Sequence, residues 1–169
     1  MNNLTEPESI ENTVVALLLE RGTTIATAES CTGGLLSKLI TDIPGASKIF
    51  PGGVVAYSAQ TKTTLLGVAP GLIGEKGAVS HEVAIAMADG AREKVGADIG
   101  VGITGLAGPG GDDSELEPGT VFVALATGGA SFCERLHLSA DREGVRYIAA
   151  SHALDMVRRY LTGQNVLSD

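Results

Sequence analysis

Apolar positions in this chain recur with two periods, and the switches between them divide it into about ten elements. Helical spacing comes first, over residues 9–21, where Ile10, Val14, Leu17 and Leu18 share a face and Gly22 supplies a stop. The β-branched run Thr23-Thr24-Ile25 predicts a strand over 23–28. Leu35, Leu36, Leu39 and Ile40 then predict a helix over 32–42, broken by Pro44-Gly45. A second strand, Val54 to Tyr57, follows the Pro51-Gly52-Gly53 turn, and Gln60 to Leu66 reads as a short helix closed by Gly67. Pro70 to Gly77, with three glycines, reads as a loop. Ser80 suits the N-cap of a helix over 81–95 that turns Val83, Ala86, Met87 and Ala91 to the core. Strands are predicted over 99–104 and 120–127, separated by a glycine-rich loop. Gly128-Gly129 predicts a hairpin into a strand over 131–138, and the last helix covers about 141–161.

Early alternation of strand and helix predicts parallel pairing, and the late hairpin adds antiparallel strands. The expected fold class is α/β, a three-layer α/β/α sandwich whose mixed sheet carries helices on both faces. With no repeat and no long linker, residues 1–169 are expected to form one domain. Hydrophobic residues make up 44% of the chain but aromatics only 4%, so the core must be built of Val, Ile, Leu and Ala. The 23 glycines are scattered, which points to tight turns and close backbone approach.

Charge removes some partners. A net charge of −8, with no run of Lys or Arg, argues against nucleic acid. No apolar run approaches the roughly 20 residues of a membrane span. The polar, acidic start from Met1 to Glu11 lacks a basic and apolar leader, so a cytoplasmic location is expected. Cys31 and Cys133 form neither a disulfide framework nor a metal spacing, and no metal site is expected.

Candidate chemistry centres on Thr27-Ala28-Glu29-Ser30-Cys31-Thr32-Gly33-Gly34, where a strand should turn into a helix. That corner lies at the carboxyl edge of an α/β sheet, where ligands usually bind. Unpaired N–H groups in a first helical turn suit a phosphate or an oxyanion. Ser30 is therefore a candidate nucleophile, with Cys31 as a rival thiol. His81, His137 and His152 show no spacing that pairs them with Ser30. Lys62 reads either as a solvated helix residue or as a base whose pKa is lowered by desolvation and a helix N-terminus. Tyr57, just before it, is placed to relay a proton or to hold the lysine.

Gly100-Val101-Gly102-Ile103-Thr104-Gly105 fits G-x-G-x-x-G, but its glycines lie inside a strand, so close packing is the simpler account. Thr104 ends that strand, and Gly105 to Gly111 forms a loop able to close over substrate and donate N–H groups. Asp112-Asp113-Ser114-Glu115 reads as a solvated acidic loop before it reads as a cation site. Arg142 and Arg146 share a helix face and fit either a phosphate grip or pairing with Asp141 and Glu143.

Taken in order, several segments resemble one family. They are Thr27 to Gly34, Gly53 to Lys62, Gly77-Ala78-Val79-Ser80, Gly102 to Gly111, Pro118-Gly119-Thr120-Val121 and the Arg142/Arg146 helix. From about residue 8 to 162 the chain resembles the CinA C-terminal domain family, whose stand-alone members are nicotinamide-nucleotide amidases. The resemblance implies hydrolysis of the carboxamide of nicotinamide mononucleotide to nicotinic acid mononucleotide and ammonia, without cofactor. The family's serine, tyrosine and lysine fall on Ser30, Tyr57 and Lys62, and its polar loop position on Thr104. Substrate contacts are then expected from Cys31, Thr32, Gly33, Gly34, Thr104 and Gly105, with Arg142 and Arg146 on the phosphate by charge. The small-molecule partner is a pyridine mononucleotide, and a homodimer is the base-rate assembly.

The chain departs from the family at Glu115-Leu116-Glu117, where a lysine-rich entry to the Pro118-Gly119 strand is common. Fused members also carry an N-terminal pyrophosphatase-like domain, for which 169 residues leave no room, so that activity is expected to be absent. Two other functions fit the same residues: a non-catalytic nucleotide-binding or partner module, and a hydrolase of another small amide.

Overall fold

In the computed structural model, which describes residues 9–168, five strands form one sheet. They are Ile25–Glu29 (β1), Gly52–Val55 (β2), Ile99–Gly105 (β3), Thr120–Ala126 (β4) and Ser131–His137 (β5), in the order β2-β1-β3-β4-β5. Residues 1–8 of the acidic start, on which the absence of a leader was read, lie outside the described residues. β1 pairs in parallel with β2 and β3, and β3-β4-β5 are antiparallel, so the expected mixed sheet is present. The hairpin after β4 turns at Gly128-Gly129, closed by Thr127 N–H donating to Ala130 O at 2.8 Å.

Six helices cover it: Ile10–Arg21 (α1), Leu35–Thr41 (α2), Ala59–Leu66 (α3), Pro70–Lys76 (α4), His81–Val95 (α5) and Arg142–Leu161 (α6). Strand alternation sorts the two faces. Ile25, Ile99, Val101, Ile103, Val121, Val123 and Leu125 pack against α1, α2 and α6 through Val14, Leu18, Leu36, Ile40, Leu154 and Val157. The opposite face presents Ala26, Ala28, Ala124 and Ala126 to the α3–α5 layer. Connections leaving β1 and β3 run in opposite directions along the sheet, the kind of switch point beside which open α/β sheets bind ligands.

Gly100 and Gly102 explain how α5 comes so close. A Cβ on Gly102 would lie 2.3 Å from Ala84 O and 2.8 Å from Ala88 N of α5. Gly102→Ala is accordingly expected to cost ~1–3 kcal/mol by forcing α5 off the sheet. A lower urea midpoint at unchanged slope is the measurement that checks it.

Boundaries moved in several places. Pro70–Lys76 is a helix, where a loop was expected: Pro70 occupies its first turn, where the missing N–H costs nothing, and Leu72 and Ile73 pack on the α3/α5 cluster. Its Gly71 and Gly74 face open space, so packing of two apolar residues outweighs their weak helix propensity. β2 ends at Val55, two residues before Tyr57. The helix expected from residue 32 starts at Leu35, which leaves 30–34 as an open turn. Among the described residues no helix is long and apolar enough to cross a membrane.

Candidate active site

The 30–34 turn begins where β1 ends, at the switch point between β1 and β3. Ser30 N–H donates to Ile103 O at 2.9 Å, so the chain stays tied to β3 one residue beyond the strand. Gly33 and Gly34 take φ of +58° and +100°, a left-handed path that side-chain-bearing residues resist. Gly33 N–H folds back onto Ser30 O at 3.0 Å. Among the described residues, the N–H groups of Thr32 and Gly34 have no acceptor.

Lys62 comes to Ser30 from the other layer. It lies in α3, whose N-cap Ser58 accepts from Thr61 N–H at 3.1 Å. Its side chain runs inward to 2% exposure, and Nζ lies 2.9 Å from Ser30 Oγ and 3.0 Å from Ala56 O. Burial lowers the Lys62 pKa, the nearby Cys31 thiol acting weakly the other way. Among the described residues no carboxylate pairs with this amine. Of the two readings open for Lys62, solvated surface residue or buried amine, the structure has the second.

Cys31 stands beside Ser30 but is chemically quiet. Burial pushes its thiol up to about 11, so it stays protonated at neutral pH. Its carbonyl accepts from Arg146 Nε at 3.1 Å, and Thr32 O accepts from Arg146 Nη2 at 2.9 Å. Arg146 thus clamps the turn by its carbonyls. In a trans peptide N–H opposes C=O, so the clamp also sets where the Thr32 and Gly33 N–H groups point. Thr32 itself is fully buried, its Oγ1 without a partner among the described residues.

Tyr57 is not placed against the lysine. Its ring is 61% exposed and its hydroxyl accepts from Arg142 Nη2 at 3.1 Å; no hydrogen bond joins it to Lys62 or Ser30 among the described residues. The group that holds the amine is the carbonyl of the preceding Ala56. Arg142 also donates to Gly108 O at 2.7 Å, which ties α6 to the glycine-rich loop. Neither arginine pairs with Asp141 or Glu143, and the two guanidiniums serve different partners.

Thr104 is fully buried and donates from Oγ1 to Ala78 O at 2.8 Å, anchoring the segment before α5. Gly105 pairs with Val121, and a Cβ there would meet Thr120 O at 2.8 Å, so its glycine serves the sheet. The histidines lie elsewhere: His81 and His137 are exposed, and His152 Nε2 contacts Glu134 Oε2 at 2.7 Å. In the acidic loop, Asp112 accepts from Ser114 N–H at 2.9 Å, a local turn; among the described residues no three metal-binding side chains converge.

Sequence reasoning passed over Glu29. Fully buried at the end of β1, its carboxylate accepts from Leu36 N–H at 2.8 Å, Ser37 N–H at 3.0 Å and Ser37 Oγ at 2.7 Å. It fills the first turn of α2, whose N-cap is Gly34 and has no side chain to do so. The available signal was a glutamate inside an otherwise apolar strand, a position that demands hydrogen-bond partners.

Comparison with known proteins bears on the family and the fold. Residues 7–161 match the family described as the CinA C-terminal domain. A CinA-like protein of Acidobacterium capsulatum is 48% identical over 154 residues, covering 91% of this chain and 37% of that protein. One of Geotalea uraniireducens is 49% identical over 154 residues, with 91% and 37% covered. The chain therefore spans 37–39% of the length of these and similar curated relatives. Among solved structures, a CinA superfamily protein from Klebsiella pneumoniae superposes with a TM-score of 0.89 at 30% identity, covering 91% of this chain and 96% of that one. The competence/damage inducible protein CihA from Agrobacterium tumefaciens gives 0.85 at 33% identity, covering 92% and 97%.

Proposed function

The chain belongs to the CinA C-terminal domain family, and from that premise we propose that it is an amidase that cleaves the carboxamide of nicotinamide mononucleotide. The observation that carries the reading is the 2.9 Å contact between a buried lysine amine and Ser30 Oγ. In the structure Nζ donates to Ser30 Oγ; on losing a proton, which burial favours, the amine can keep one N–H on Ala56 O and turn its lone pair to Ser30. The serine then donates, and Lys62 is the general base.

Ser30 Oγ attacks the carboxamide carbon as its proton passes to Lys62 Nζ. The oxyanion of the tetrahedral adduct is offered the N–H groups of the 31–34 turn, of which that of part-exposed Gly34 is unpaired among the described residues. Lys62 returns the proton to nitrogen, the C–N bond breaks and ammonia leaves an ester on Ser30. Water repeats the sequence, giving its proton to Lys62, and the nicotinic acid mononucleotide departs with Ser30 reprotonated.

Arg142, exposed beside Tyr57 at the mouth, is the cation offered to the substrate phosphate. Loss of a charge-assisted hydrogen bond of ~1.5–3 kcal/mol corresponds to ~10–100-fold in affinity. Arg142→Ala is expected to raise KM for the mononucleotide by that factor and to leave hydrolysis of free nicotinamide unchanged. Ammonia release from both compounds by the unmodified protein tests the reading itself. Mononucleotide bound without ammonia would favour a non-catalytic module, and equal rates on both would favour a general small-amide hydrolase.

A further inference from the structure

We infer that Glu29 is a positioning residue for the nucleophile, holding the Ser30 turn in the one geometry that sets Oγ on Lys62. The inference rests on the amidase reading only for its natural substrate. Its physical basis is a closed tie. The backbone of Glu29 is fixed in the sheet: it aligns with Val55 and Ile103, and its carbonyl accepts from Ala56 N–H at 2.8 Å. Its side chain is fixed in α2 by three hydrogen bonds to Leu36 and Ser37. One residue thus pins both ends of the segment that carries Ser30, Cys31, Thr32, Gly33 and Gly34.

That segment needs pinning. Its two left-handed glycines have the widest conformational freedom of any residue, so local preference alone does not select the observed path. Arg146 restrains the carbonyls from α6, and the apolar packing of Leu36 and Ile40 holds α2 on the sheet without directional bonds to β1. The carboxylate supplies those bonds, and Ser37 Oγ extends the tie to Thr27 Oγ1 at 2.8 Å on the same strand. Ala56 takes part twice, accepting from Lys62 and donating to Glu29 O, so the base and the corner are tied to one residue through its two flanking peptides. Glu29 contacts neither Ser30 Oγ nor Lys62 Nζ among the described residues, which makes its action indirect.

The test uses Glu29→Gln and Ser37→Ala in the full chain, with two readouts on protein shown to be folded by thermal melting. The first is steady-state ammonia release from nicotinamide mononucleotide. The second is the rate at which a fluorophosphonate modifies Ser30, followed by intact mass, with Ser30→Ala as the blank. A displacement near 1 Å at a reacting atom costs up to ~100-fold. Glu29→Gln is expected to lose ~10–100-fold in both rates with KM within about twofold and the pH midpoint unmoved, and Ser37→Ala a smaller part of the same loss. Folded Glu29→Gln and Ser37→Ala proteins that match the wild type in both rates overturn the inference. If Glu29→Gln does not fold, Ser37→Ala alone decides it. Wild-type protein that labels but releases no ammonia sinks the amidase reading and leaves the labelling comparison to judge Glu29. Wild-type protein inert in both assays overturns both.

Discussion

Ammonia release from nicotinamide mononucleotide is expected to fall by ~10⁴-fold or more in Ser30→Ala, while Cys31→Ala stays within about threefold of the wild type. The two residues are adjacent, yet their surroundings differ in kind. Ser30 Oγ meets an amine at 2.9 Å, which on the proposed reading is, once deprotonated, the proton acceptor a weak hydroxyl nucleophile requires. The Cys31 thiol is buried and pushed up to about 11, so the thiolate that would compete is scarce at neutral pH. Its backbone carbonyl, which Arg146 uses, survives the substitution. The reverse result, in which the cysteine variant is dead and the serine variant active, would assign the chemistry to a thiol.

Lys62→Met is expected to lower kcat by ~10²–10⁴-fold, the usual contribution of a general base. The pH profile carries more information than the loss. Because burial lowers the Lys62 pKa, wild-type kcat/KM should rise with pH through a midpoint below the ordinary lysine value of 10.5 and then level off. Lys62→Met should lack that rise. Stability should follow the same group. Between the lowered folded pKa and 10.5 the unfolded chain binds more protons than the folded one, so wild-type stability increases with pH in that window. Below it the folded protein must hold a buried ammonium and is least favoured. Melting temperatures of the two proteins across that range should therefore have different slopes. Parallel curves would mean that Lys62 does not titrate in the folded state.

The fold was legible wherever the apolar period was unbroken, and the failures have specific causes. Gly100 and Gly102 fitted a nucleotide fingerprint, but their two-residue spacing within a strand pointed to close packing, and α5 lies on them. Pro70–Lys76 was hidden because Gly71 and Gly74 outweigh two apolar residues locally, whereas the packing of Leu72 and Ile73 is a tertiary fact. In the site, the corner itself could be found from small and polar residues between a strand and a helix. Which side chains meet there could not. Tyr57 and Lys62 are close in sequence, but strand and helix carry them apart, the ring to the rim and the amine inward to Ser30. Arg146 and Glu29 were obscure for another reason: both act on backbone groups, which leave no trace in residue type.

The alanine and glycine face under α5 separates two kinds of evolutionary drift. On the α1/α2/α6 side, Val, Ile and Leu can exchange volume with neighbours, and an imperfect change leaves a hollow that the layer partly fills. On the α5 side a Cβ added at Gly100 or Gly102 would meet the backbone of α5 at 2.0–2.3 Å and act as a wedge. A wedge moves a whole helix. The segment from Gly77 to Ser80 leads directly into α5, and Ala78 there is bonded to Thr104 at the end of β3, next to the residue that receives Ser30 N–H. Substitutions deep beneath α5 should thus reach the Ser30 corner as mechanical displacement carried through the bond between Thr104 and Ala78.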